Sequence, residues 1–296
     1  MAQVEIVRLA DVPKEEARAG RARNLALQRL PSETGIQGVV VSFSRVTVPD
    51  GYFTPRHRHN FDQIRFAIKG TFANKSGDLE EGTCAYFPEG VSYGPQNQEG
   101  ECVSLTLQFQ GPSGERFLNN DEMREGYRRL VEKGGRFEGG VYTEIKPNGR
   151  KINRDSYQAA WEEFCGRKMT YPPARYGHPV MMKTGTYRWL PDRERPGIEN
   201  KHLGSFTEYR HTVALRRLAP GAAIAARRQR DAELLYLLEG SVSYGGKTYD
   251  GETYFYLPVG AEIGAFSSAT GATFYSITLP MIAELMAARP AAQAAE

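Results

Sequence analysis

GYFTPRHRHNFDQIRFAIKG (residues 51–70) and GAAIAARRQRDAELLYLLEG (residues 221–240) are the two stretches that decide the fold. Laid on each other they match at Gly51 with Gly221 and at Gly70 with Gly240, a constant offset of 170 positions. In that register His57, His59 and Gln63 fall opposite Arg227, Gln229 and Glu233. The same offset carries Pro88 and Gly90 to Pro258 and Gly260, where CAYFPEG parallels YFYLPVG. Gly82 and Gly251 differ by 169, which one inserted residue explains. Two separate blocks at one offset mean that the chain holds one fold twice. With 296 residues, each copy is long enough to bury its own core.

Each copy reads as short strands broken by turns. VVVSFSRVTV (Val39 to Val48) is rich in β-formers and runs into the turn Pro49-Asp50-Gly51. Strands are expected next at His57 to Lys69, Thr83 to Phe87 and Val103 to Gln110, and in the second copy at His211 to Leu218, Glu233 to Leu238, Thr253 to Leu257 and Thr273 to Leu279. Many short strands with Gly or Pro between them predict a mainly β chain of sandwich or barrel type. Between the copies the period changes. Met123, Tyr127, Leu130 and Val131 are spaced for a helix with Asn119 or Asn120 as N-cap, and Tyr157, Trp161 and Phe164 for a second one capped by Asn153 or Asp155. Their aromatic residues read as anchors that fix the helices to a barrel. The expected division is an N-terminal barrel over 1–111, a helical connector over 112–175, a C-terminal barrel over 176–286 and a frayed tail over 287–296.

Composition narrows the function. The net charge is only +3, and Lys and Arg are scattered, whereas tracking a nucleic-acid backbone needs a basic stripe. The opening MAQVEIVRLADVPKEEARAG mixes acids with bases and has no long apolar run, so it reads as neither a secretory signal nor a membrane anchor. Cys84, Cys102 and Cys165 form an odd, unpatterned set that fits buried reduced thiols and a cytoplasmic protein.

The residues already aligned carry a family likeness. The first cupin motif is Gly, five residues, His, one, His, three or four, Glu, six, Gly. Gly51, His57, His59 and Gly70 match it, with Gln63 in the Glu place. The second is Gly, five residues, Pro, one, Gly, two, His, three, Asn. Gly82, Pro88, Gly90 and Asn97 match, with Tyr93 in the His place. The C-terminal copy keeps the glycines, the proline and Glu233, but Arg227, Gln229 and Ile263 replace the three histidines. The chain thus resembles a bicupin, with two jelly-roll (RmlC-like) β-barrels in one chain. The resemblance covers both barrels but not the connector. It implies barrels packed like a dimer, with a further homodimer as an additional expectation. Cupins include oxygenases, isomerases, decarboxylases, lyases, storage proteins and sugar-binding sensors, so the fold alone names no reaction.

Alternation along a strand puts His57, His59, Phe61, Gln63, Arg65 and Ala67 on one face. Two imidazoles roughly 7 Å apart along a strand can converge on one ion, and Gln63 can add a carbonyl oxygen. The resemblance sets Tyr93 across the barrel, facing the same point. Two nitrogens plus oxygens suit one Fe, Mn, Ni or Zn ion per chain, in the N-terminal barrel only. Gln in place of Glu removes a negative charge, which weakens the grip on a cation. Tyr93 can ligate as phenolate or donate a proton. An inward Arg65 needs a partner, and Gln63, Tyr93, Gln108 and Gln110 are neutral, which makes a bound carboxylate a natural one. Phe61, Phe66, Phe72, Tyr86, Phe87 and Tyr93 supply candidate apolar wall.

In the second copy Arg227 and Glu233 are placed to pair with each other as a polar core without metal, with an anion at Arg227 as the alternative. His211 can join that network, and His178 and His202 lie in loop-like stretches and are assigned nothing. Two functions stay open. One is a metal-dependent enzyme on a small anionic organic molecule (oxygenase first, isomerase or lyase next), with His57, His59 and Gln63 on the metal, Tyr93 and Arg65 catalytic, and Arg65, Gln108 and Phe61 on the substrate. The other is a metal-free binding protein that uses the same barrel.

Overall fold

The computed structural model describes residues 2–16, 24–34, 36, 39–75, 77–207 and 209–287. Apart from Ala287, the expected tail lies outside them. The described residues divide into two compact units, one within 14–29 and 39–183, the other within 1–13, 30–38 and 184–296. Neither is contiguous, so the bounds differ from the simple expected cuts at 111 and 175.

In the first unit β1 (Val41–Val48), β2 (Phe61–Lys69), β3 (Thr83–Phe87) and β4 (Cys102–Gln110) form an antiparallel sheet in the order β3-β2-β4-β1. Its edge at β3 is extended by β5 (Val180–Lys183), which pairs Val180 with Tyr86 and Lys183 with Thr83. Phe53–Thr54 and Gln96–Asn97 make a second, two-stranded sheet. In the other unit β6 (His211–Leu218), β7 (Ala232–Tyr244), β8 (Thr253–Leu257) and β9 (Ala272–Leu279) repeat the order as β8-β7-β9-β6, with Glu5–Arg8 paired at the edge of β8. The small sheet recurs as Ala223–Ile224 with Phe266–Ser267.

The 170-residue offset holds in register as well as in sequence. The bridge between His57 and Tyr93 recurs between Arg227 and Ile263. The shift in pairing between Ala67 and Lys69 recurs between Leu237 and Glu239. Gly90 donates its N–H to the His59 carbonyl, as Gly260 does to that of Gln229, both at 2.8 Å. The two units share strand order and register, and the chain is mainly β with jelly-roll sheets.

The histidines do not lie within a strand, contrary to the expected run from His57. β2 begins at Phe61, and His57 lies before it in an isolated bridge with Tyr93. Pro55 lacks an N–H to donate to a ladder, which delays regular pairing.

The connector departs from expectation in composition. Helices α1 (Asn120–Glu132) and α2 (Ser156–Cys165) are separated by a three-stranded antiparallel sheet of Arg136–Glu138, Val141–Ile145 and Lys151–Asp155. Asn119 caps α1 through a reciprocal box with Glu122, and Asp155 caps α2 by accepting from Gln158 N–H. The helices pack closely at Gly126, where a Cβ would come within 2.3 Å of the Ala160 carbonyl oxygen. Among the described residues no helix is long and apolar enough to cross a membrane.

Candidate functional site

A cavity of about 270 Å³ opens in the first unit, and His57, His59, Phe61, Gln63, Arg65 and Gln108 all line it. Alternation on β2 aims Phe61, Gln63 and Arg65 inward, and the register sets Gln63 beside Gln108 and Arg65 beside Thr106. One strand further, Ser42 and Ser44 face Gln108 and Thr106. A polar wall results, made of amide and hydroxyl groups on three adjacent strands. Phe66 and Tyr86, by contrast, belong to the opposite face. Tyr86 donates its hydroxyl hydrogen to Asp62 at 3.0 Å there.

The imidazole pair is oriented. Nδ1 of His57 lies 2.7 Å from the Pro55 carbonyl, which can only accept, so that nitrogen carries the hydrogen and Nε2 keeps the lone pair. The His57 and His59 rings have centroids 5.1 Å apart, and His59 stacks on Phe61 at 4.3 Å. Arg65 ties the remaining candidates together. Its Nε donates to Gln63 Oε1 at 2.7 Å and its Nη2 to the Tyr93 hydroxyl at 3.1 Å, with the guanidinium over the Phe87 ring. Tyr93 is therefore not across the barrel from the histidines. It sits on the strand segment paired to His57, is fully buried, and is not among the residues lining the cavity. Its hydroxyl reaches Arg65 and comes within 3.5 Å of His59 Nδ1.

The two imidazoles suit a divalent ion, since the tautomer of His57 leaves a donor nitrogen. The other two positions are in use, as both Gln63 and Tyr93 accept from Arg65. Among the described residues no group of three or more His, Cys, Asp or Glu could hold a metal. Any ion would thus rest on His57 and His59 and complete its sphere from solvent or ligand.

Sequence reasoning missed part of the wall. Phe117, Met123, Tyr127 and Tyr157 come from the connector, where they read as anchors, yet they line the cavity. Ser42, Ser44 and Thr106 were legible in the alternation of VSFS and VSLTLQFQ, which puts them on the inward face.

The second unit has spent the same positions on its own core. Glu233, at the place of Gln63, accepts from Arg216 at 2.9 Å, Arg227 at 3.2 Å and Ser276 at 2.7 Å. Burial pushes this carboxyl up, but those partners outweigh it and hold it below the ordinary value. Leu235 stands where the first unit has Arg65, and Phe255, Ile263, Phe266 and Phe274 pack the interior. His211 is buried and stacks on Tyr209.

No curated protein sequence matches this chain. Residues 178–282 match the family model of the ChrR cupin-like domain, a stretch that excludes His57 and His59. A candidate dioxygenase from Nostoc punctiforme is 15% identical and superposes with a TM-score of 0.64, over 93% of this chain and 82% of that one. A candidate glyoxylate-induced protein from Pseudomonas aeruginosa gives 11% identity and 0.58, over 95% and 90%. A Bacillus subtilis oxalate decarboxylase mutant gives 13% and 0.53, over 94% and 78%. At such identities the likeness carries the fold alone. The chain has the cupin fold, and over residues 178–282 it is similar to the ChrR cupin-like domain.

Proposed function

We propose that the chain is a bicupin enzyme whose N-terminal barrel takes a small organic anion and one divalent metal ion, with oxygenation as the first reaction class and isomerisation or lyase chemistry as the next alternatives. The observation that carries this is the convergence of His57, His59, Gln63, Arg65 and Gln108 on one cavity, while the second unit buries its equivalents in an internal network. The neighbours' descriptions support it. One is a candidate dioxygenase, and a Bacillus subtilis oxalate decarboxylase is described by its Mn(II) centres. An ion of Fe, Mn, Ni or Zn held by His57 and His59 would supply a Lewis-acidic centre beside the bound anion. Arg65 binds and orients the anion by paired hydrogen bonds. Gln108 and the hydroxyls of Ser44 and Thr106 accept or donate to its polar edge. Tyr93 positions Arg65 and His59, since its hydroxyl oxygen can accept from both Arg65 Nη2 and His59 Nδ1.

A second reading, a metal-free binding protein, is favoured by one feature. Arg65 is a permanent cation bonded to both positions that the cupin motifs fill with Glu and His. Metal analysis of protein purified without chelator and then offered Fe(II), Mn(II), Ni(II) or Zn(II) separates the two. Near one ion per chain, lost in the His57→Ala/His59→Ala variant, supports the enzyme. No bound ion leaves the binding protein.

A further inference from the structure

The reading of the N-terminal barrel as an anion pocket leaves open which anion, and the connector, which lies outside the family likeness, bears on that. We propose that the connector makes this pocket selective for a single-ring aromatic carboxylate. The inference rests on that reading of the barrel and narrows its substrate class.

The polar end is short of one partner. Among the described residues Arg65 has no carboxylate to pair with, and its Nη1 makes no hydrogen bond. A guanidinium inside a barrel without a counter-charge is costly, and a carboxylate would answer both the charge and the geometry of the fork. Ser44 and Thr106 stand on the neighbouring strands at the level of Arg65, where they can bond the second edge of such a group.

The other end is ringed by aromatic side chains. Phe61 packs on Phe117 with centroids 4.6 Å apart and on Tyr157 at 5.7 Å, edge to face, and Tyr127 joins them on the cavity wall. Tyr157 is anchored among them. The Tyr157 hydroxyl donates to Asn60 Oδ1 at 2.9 Å, Asn60 Nδ2 donates to the Arg116 carbonyl, and Trp161 Nε1 donates to that same carbonyl. Rigid ring edges and faces favour a planar aromatic guest over an aliphatic one of equal bulk, because edge-to-face and offset stacking add to area burial.

The spacing limits the guest. Arg65 folds back until its Nε meets Gln63, so the head lies about two residues, roughly 7 Å, from Phe61 along the strand. That is the span of a carboxylated six-membered ring. The cavity of about 270 Å³ lies just below the range usual for drug-sized ligands, which suits a small acid.

The test is titration calorimetry of the full chain, as purified, with benzoate, cyclohexanecarboxylate, acetate and benzyl alcohol. Benzoate should bind at least tenfold more tightly than each of the others. Arg65→Gln should weaken benzoate at least tenfold. Tyr127→Leu should erase the preference for benzoate over cyclohexanecarboxylate and leave acetate unchanged, whereas Tyr157→Phe, which keeps the ring, should retain it. Equal affinity for benzoate and cyclohexanecarboxylate overturns the aromatic class and leaves the anion pocket standing. Binding of benzyl alcohol as tight as benzoate removes the role of Arg65. No binding by any of the four overturns the inference, and metal content then shows separately whether the metal site survives.

Discussion

Arg65 Nε and Gln63 Oε1 lie 2.7 Å apart, so two successive inward side chains of β2 hold each other. In the second unit the residue at the Gln63 position, Glu233, is instead a carboxylate clamped by Arg216 and Arg227. The barrels solve the same problem with opposite charge balance. Among the described residues the first keeps a cation with no carboxylate partner facing a cavity, and the second pairs Arg216 and Arg227 with Glu233.

Gln63→Glu tests this directly. The new carboxylate would pair with Arg65 and cancel the charge offered to an anion. Affinity for a small carboxylate should fall about tenfold or more, while metal affinity rises through the added negative charge. Calorimetry with both ligands checks the pair of signs. Tighter carboxylate binding would mean that Arg65 does not serve as the anchor.

Metal content should follow the histidines and ignore the second barrel. His57→Ala with His59→Ala is expected to abolish bound ion, and Glu233→Gln to leave stoichiometry unchanged when measured by elemental analysis of folded protein. Metal retained after loss of both imidazoles would sink the proposed site.

Glu233→Gln should nonetheless be strongly destabilising. It leaves two largely buried guanidinium groups facing a neutral amide, and breaking a buried ion pair from one side costs about 3–5 kcal/mol. Denaturant unfolding measures it, and a loss under about 1 kcal/mol would mean that the network is not a structural core.

Opposite pH dependences are expected for the two units. Burial raises the Asp62 carboxyl from 3.8 to about 7, against hydrogen bonds from the Glu89 N–H and the Tyr86 hydroxyl. A folded value above the unfolded one means that its stability is full below about pH 4 and is lost as pH rises through about 7. Burial lowers His211 to about 3, so its contribution is full above about pH 6.5 and is lost as pH falls towards 3. Thermal unfolding of Asp62→Asn should remove a decline with rising pH, and that of His211→Asn a decline with falling pH. Slopes of the same sign would refute the assignment.

Gly126→Ala probes the connector. The added methyl would meet the Ala160 carbonyl and part α1 from α2, at about 1–3 kcal/mol for such overpacking. Because Met123 and Tyr127 on α1 and Tyr157 on α2 line the cavity, ligand affinity should drop together with stability. Unchanged affinity in a destabilised variant would separate the helices from the pocket.

The sequence by itself determined the repeat, because turn glycines and inward positions must recur wherever one backbone is built twice. Gly51 and Gly221, His57 and Arg227, and Gln63 and Glu233 were legible for that reason, as was the shared inward face of Phe61, Gln63 and Arg65. The caps were legible as pairs of candidates, Asn119 or Asn120 and Asn153 or Asp155, since capping acts within a few residues, and the structure selects Asn119 and Asp155. Only the tertiary structure decided what those side chains do. Arg65 bonds Tyr93 because chain folding brings residues 28 apart together, and no local period records that. Tyr127 and Tyr157 have the spacing of core anchors whether they face a barrel wall or a cavity, since helical periodicity fixes the side they share and not what stands opposite. The strands Glu5–Arg8 and Val180–Lys183 likewise join edges far along the chain, where pairing depends on open backbone groups rather than on residue type.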